Sequence, residues 1–142
     1  MESNQTKKYS RVLTSAEQKE RMKIIRSGAY VTAGVTGTDN HARFSSMKPE
    51  TARRLISEGF ANPEDSQNDA PTFEQMTAFC ESHPGFVLDG YVIGGDRADA
   101  RVVADTVRGE PTDADTQHAF LELFRYADEI ICTCEECFCW YD

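Results

Sequence analysis

Apolar positions along the chain fall into helical and extended stretches, and their spacing predicts the order of elements. Thr14 and Glu17 form a capping-box pattern ahead of Ala16 to Arg26, a run of good helix formers that Gly28 ends. Its apolar stripe is thin, with only Ala16, Met22 and Ile25 near one face, so this helix is expected at the surface or against a partner. Tyr30 to Val35 is rich in β-branched and aromatic residues and predicts a strand; a polar loop is expected to follow it through Gly37 and Asn40. His41, Arg43, Ser45 and Ser46 are read as part of that loop region, with Asp39.

Pro49 in a first turn, followed by Glu50 and by apolar Ala52, Leu55 and Ile56, predicts a short helix that Gly59 stops and against which Phe60 folds back. Ala61 to Pro71 is a loop of turn formers. Thr72 with Gln75 opens a further helix that buries Phe73, Met76, Phe79 and Cys80 and closes at His83, Pro84 and Gly85.

Phe86 to Ile93 and Arg101 to Val107 predict a hairpin turning over Gly94 to Asp99, unless Asp89 and Gly90 themselves make a tight turn. Pro111 and Thr112 introduce a helix over Asp113 to Tyr126, with Ala119, Phe120, Leu123, Phe124 and Ala127 at helical spacing. Glu129 to Cys134 and Cys137 to Tyr141 then form two short strands around Glu135 and Glu136. Links this short between neighbouring strands do not allow parallel crossovers. The expected fold is therefore α+β, with a mostly antiparallel sheet of four to six strands packed with three to four helices. At 142 residues the chain suits one domain over 13–142, preceded by a basic, mobile arm over 1–12.

Charge changes the picture more than composition does. The formal net charge is −9, yet Met1 to Gly28 carries seven Lys or Arg against three Glu, whereas Gly109 to the end has one Arg against nine carboxylates. Such a body repels a phosphate backbone, so general nucleic-acid binding is not expected. The acidic surface serves either solubility or a basic protein partner. No run is apolar enough for a membrane span, and the first residues lack the apolar core of a secretory signal, so a cytoplasmic location is expected.

Five cysteines in a reducing compartment are thiols or metal ligands before they are disulfides. Four of them, Cys132, Cys134, Cys137 and Cys139, stand as C-T-C-E-E-C-F-C. If Glu135 and Glu136 make a two-residue turn, Cys134 lies opposite Cys137 and Cys132 opposite Cys139, and all four sulfurs share one face. Such a set suits zinc or copper(I). The competing reading has the four sulfurs and Ile130 lining the core as small apolar groups, with Ile131, Phe138 and Trp140 on the other side. No cofactor is expected on that reading. Metal binding is opposed by the nearby carboxylates Glu135, Glu136 and Asp142, with no Lys or Arg after Arg125.

Other candidate chemistry is sparser. If Ile93 pairs with Arg101, Asp89 and Asp105 face each other as an acid–base pair or a cation site, an arrangement that a slip of one residue abolishes. Of the histidines, His83 reads as part of a turn and His118 as solvent-exposed; His41 is the best placed for general acid or base work. Arg97, Arg101 and Arg108 gather in the middle hairpin and suit an anion, although Asp96, Asp99 and Asp105 already offer them partners. Glycine spacing offers no phosphate cradle.

Three functions follow in order of weight: a small acidic, non-enzymatic interaction or regulatory module with a protein partner or a second copy of itself, a thiolate metal-binding domain, and an enzyme using a carboxylate or histidine site.

Overall fold

Capping, turn residues and apolar spacing act where the sequence places them in the computed structural model of the chain, which describes residues 12–33, 41–94 and 100–142. The expected arm over 1–12 lies almost wholly outside the described residues, as do Asp39, Asp96, Arg97 and Asp99.

Helix α1 (Ser15–Gly28) starts at Thr14, whose hydroxyl accepts from Glu17 N at 3.1 Å while Glu17 Oε1 accepts from Thr14 N at 3.0 Å. Strands β1 (Tyr30–Ala33) and β2 (His41–Met47) follow, then α2 (Pro49–Ser57) and α3 (Phe73–Ser82), the latter opened by a second capping box between Thr72 and Gln75. Gly59 stops the chain beyond α2 at φ +82°, a conformation that costs a residue with a Cβ. Phe60 N then returns to Leu55 O at 2.8 Å. Strands β3 (Val87–Ile93) and β4 (Arg101–Gly109) form the middle hairpin, and Asp113 caps α4 (Ala114–Leu123). The chain ends in β5 (Glu129–Cys132) and β6 (Cys137–Trp140).

The strands make one antiparallel sheet in the order β1-β2-β3-β4-β6-β5, so the last hairpin enters with β6 inside and β5 at the edge. This is the α+β fold with an antiparallel sheet that the sequence predicts, and the described residues form six strands and four helices. One face is covered: α1 lies on β1 and β2, α3 on β3 and β4, α4 on β5, and α2 packs between α1 and α3. Phe44, Met47, Leu88, Val92, Val102, Val107, Cys137 and Cys139 meet the helices there in one core, which Phe79, Phe86, Phe120 and Phe124 join with ring centroids 4.7 to 6.1 Å apart.

Two expectations change. The segment from His41 to Met47, read as loop, is a strand paired on both sides, because Ala42 and Phe44 alternate into the core between His41, Arg43 and Ser45. Helix α1 is no surface helix: Met22, Ile24 and Ile25 are almost wholly buried. Arg21 enters with them, laying its stem along the core while its guanidinium donates to Ile93 O at 2.9 Å and Gln18 Oε1 at 2.7 Å. Burial lowers that guanidinium to about 10.

Candidate functional site

The C-terminal hairpin turns over four residues. Glu135 and Glu136 supply neither the glycine nor the asparagine that a two-residue hairpin turn needs at positive φ. Thr133 provides another solution: its hydroxyl accepts from Glu135 N at 3.1 Å and Glu136 N at 3.0 Å, while Thr133 N donates to Glu136 O at 2.8 Å. The register shifts accordingly. Cys132 pairs with Cys137, Ile131 with Phe138, Ile130 with Cys139 and Glu129 with Trp140.

The expected face of four sulfurs is therefore corrected to three. Cys132, Cys137 and Cys139 lie on the covered side, whereas Cys134 falls in the turn and is exposed. Cys132 and Cys137 are adjacent, Sγ to Sγ at 3.3 Å, and the Cys132 thiol also points to Gln117 O of α4 at 3.8 Å. Cys139 is fully buried beside Cys80 of α3, which the spacing argument did not include. Burial pushes the Cys80, Cys137 and Cys139 thiols up to about 12, which favours the protonated form over a metal-binding thiolate. Among the described residues no three His, Cys, Asp or Glu side chains stand in an arrangement suited to a metal ion.

Ile131, Phe138 and Trp140 project to the opposite, open face of the sheet, as their alternation predicts. There a groove of about 780 Å³ runs between the end of β4 and the hairpin turn, lined by Ile131 and Phe138, by Arg108, and by the carboxylates Glu110, Glu135 and Glu136. Ile131 is 44% exposed, and its neighbour Ile130, expected in the core, is 37% exposed because β5 ends the sheet.

Towards the middle strands the open face is built of ion pairs. Ile93 does pair with Arg101, but a bulge between Asp89 and Gly90 sets Asp89 opposite Thr106, so the expected pairing of Asp89 with Asp105 does not form. Gly90 makes the bulge possible, since a Cβ there would lie 1.9 Å from Val103 O and 2.8 Å from the Phe44 ring. Each aspartate takes its own arginine. Asp105, 4% exposed, accepts from Arg43 at 3.1 and 3.3 Å and from the Thr106 hydroxyl at 3.0 Å. Asp89 accepts from Arg108 at 2.8 and 3.2 Å and from Ser46 N at 2.8 Å. Ser46, at φ +57° beside a second bulge, accepts a further bond from Arg108 at 2.6 Å.

The loop after α2 closes onto this face. Gln67 accepts from the Tyr91 hydroxyl at 2.7 Å, and Asp65 is raised by its burial, an effect the charge of Arg101 opposes. Asn68 reaches the Asp142 carbonyl.

The histidines stand apart. His41 is exposed at the start of β2, edge-on to Tyr91 at 6.4 Å, and His118 is exposed on α4. His83 follows α3, stacked on Phe79 at 4.1 Å with Nδ1 held 2.8 Å from Phe79 O, and it borders a smaller hollow of about 440 Å³ with Thr112, Asp113 and Thr116. Asp113 is held below the usual carboxylate range, first by the Thr116 backbone N–H it accepts from as the α4 cap, then by the Thr116 hydroxyl. Of the three arginines proposed for an anion, Arg108 is committed to Asp89 and Arg101 lies near Asp65.

Among the described residues no helix is long and apolar enough to cross a membrane. No protein-family model, curated protein or solved structure matches this chain.

Proposed function

We propose that this protein is a non-enzymatic interaction module whose groove beside the C-terminal hairpin receives an extended, basic segment of a protein partner. The reading rests on one coincidence: an open strand edge at β5, exposed isoleucine and half-buried phenylalanine, and three carboxylates meet at the same place. An edge strand offers unpaired backbone groups to an added strand, while pockets beside it select alternate side chains. Here those side chains are apolar and basic in turn. The positive charge of Arg108 is already offset by Asp89, which leaves Glu110, Glu135 and Glu136 to set the sign of the groove.

Charge also separates this occupant from a second copy of the chain. Pairing β5 with β5 would bring Glu129, Glu135 and Glu136 of two molecules together, and like charges across an interface are unfavourable. A basic segment gains where a second copy loses. The metal reading has less support, because Cys134 stands away from the other sulfurs and the buried thiols hold their protons. The enzyme reading loses its carboxylate pair to Arg43 and Arg108.

The test uses a synthetic peptide of alternating lysine and valine, followed by fluorescence anisotropy. Binding is expected to weaken with added salt and to fall about tenfold, or about 1.4 kcal/mol, in the triple variant E110Q/E135Q/E136Q. No binding, or the same affinity in the triple variant, would overturn the proposal.

A further inference from the structure

Of the five thiols, two share a position that the others do not. Cys132 and Cys137 are cross-strand partners directly before and after the turn, with sulfurs 3.3 Å apart. The Thr133 N to Glu136 O bond makes Cys132 and Cys137 a pair that does not exchange backbone hydrogen bonds. Such pairs bring their Cα atoms to about 4.5 Å. Disulfides accept Cα separations of roughly 4.4 to 6.8 Å, so this pair closes without moving the strands. Cys139 sits opposite Ile130, Cys80 lies on α3 and Cys134 is in the turn, and none has a cross-strand cysteine partner.

We infer that Cys132 and Cys137 form a reversible redox site, oxidised to an intrachain disulfide by a small disulfide of the glutathione class. The two thiols differ in access, which fixes the order of events. Cys132 is half-buried and reaches solvent, whereas Cys137 is 1% exposed. Cys132 loses its proton and its sulfur attacks one sulfur of the oxidant, which releases one glutathione thiolate and leaves a mixed disulfide. Cys137 then loses its proton and its sulfur attacks that of Cys132, expelling the second thiolate. The two released protons end on the two glutathiones, and two electrons pass from the protein to the oxidant. Burial, reinforced by the contact with Cys132, pushes the Cys137 thiol up to about 12, so the second step speeds up as the medium becomes more alkaline.

A covalent link across Thr133 to Glu136 would brace the hairpin turn, although the redox site does not depend on the partner reading. Cys134, two residues along, marks the alternative the geometry disfavours. The Cys132 sulfur faces Cys137, whereas Cys134 falls in the turn, where its exposure suits adducts with free glutathione.

The experiment equilibrates the folded full chain and its C134S variant in buffers of graded reduced and oxidised glutathione, quenches by acid, and maps the links after cleavage at glutamate and at phenylalanine. Those cuts separate Cys132 from Cys137 at Glu135 and Glu136, and Cys137 from Cys139 at Phe138. Both proteins should show one link joining Cys132 to Cys137, reversed by reductant. C132S, with the same circular dichroism spectrum as the parent, should show none at Cys137. A link that uses Cys134 or Cys139 instead, or glutathione adducts without any link in C134S, would overturn the assignment.

Discussion

The two faces of the sheet solve different problems with the same strands. On the covered face, the row Leu88, Val107, Cys139 and Ile130 runs across four strands, and the helices bury all but its last member at the edge. Volume decides that face. On the open face the row beside it, Arg108, Phe138 and Ile131, changes character from strand to strand, and charge decides the half that the middle strands build. Arg43 with Asp105, and Arg108 with Asp89 and Ser46, complete one another there, and the loop after α2 adds Gln67 to Tyr91. Among the described residues, the hairpin end of the open face keeps apolar Ile131 and Phe138 beside the carboxylates Glu110, Glu135 and Glu136. A face that is satisfied internally has little left to bind with, and one that is not does.

The largest expected effect strengthens this contrast. Phe124 is fully buried among Phe79 and Phe120 on the covered face, so Phe124→Ala should cost about 3 to 5 kcal/mol of stability in denaturant unfolding. Ile131→Ser on the open face, with 44% of the side chain already in water, should cost less than about 1 kcal/mol. Equal losses would mean that the open face is not open in solution.

Alkali should act on the covered face next. The Cys80 and Cys139 thiols, normally near 9.0, are pushed up to about 12 by burial, so the folded state keeps its proton where the unfolded chain has lost it. Their stabilisation is complete below the unfolded value and is lost as the pH climbs from 9.0 towards about 12. Near pH 11 the loss should reach about 3 kcal/mol for each thiol. The melting temperature should fall steeply over that range in the reduced protein, and Cys80→Ala should flatten the fall. A melting temperature that stays level to pH 11 would mean that these thiols are hydrated.

The contrast also marks what could be read in advance. Covered-face elements with dense apolar spacing or explicit caps, such as the helices from Thr14 and Thr72, the stop at Gly59 and the hairpin closed by Ile93 and Arg101, follow from local rules acting on few residues. Strand β2 carries only Ala42 and Phe44 as alternating signal, and the polar pair Ser45 and Ser46 masks it. Its three-residue alternation was the available clue. The bulges are harder, because inserting one residue changes no composition, yet it separates Asp89 from Asp105. Gly90 inside a β-branched run was the mark of the first one. At the C-terminal hairpin the residues facing outward were legible from their alternation. The sulfur set was not, because Thr133, by capping the turn, moves the register two residues from the one that Glu135 and Glu136 suggest.

The smallest effect isolates what the ion pairs contribute. Arg43 is 57% exposed but its partner Asp105 is nearly buried, so Arg43→Ala removes a mostly hydrated cation and leaves a carboxylate held by the Thr106 hydroxyl. The cost should be about 1 to 2 kcal/mol, dominated by the deserted aspartate. Arg53, which bridges Glu74 and Glu81 on the helical side at 2.5 to 3.1 Å, makes more contacts, yet all three side chains are at least 36% exposed. Arg53→Ala should therefore cost less, within about 1 kcal/mol, and the difference should shrink further in high salt. If Arg53 proves the more costly of the two, burial of Asp105 is not what holds the open face together, and the bulge at Gly90 becomes the next residue to test.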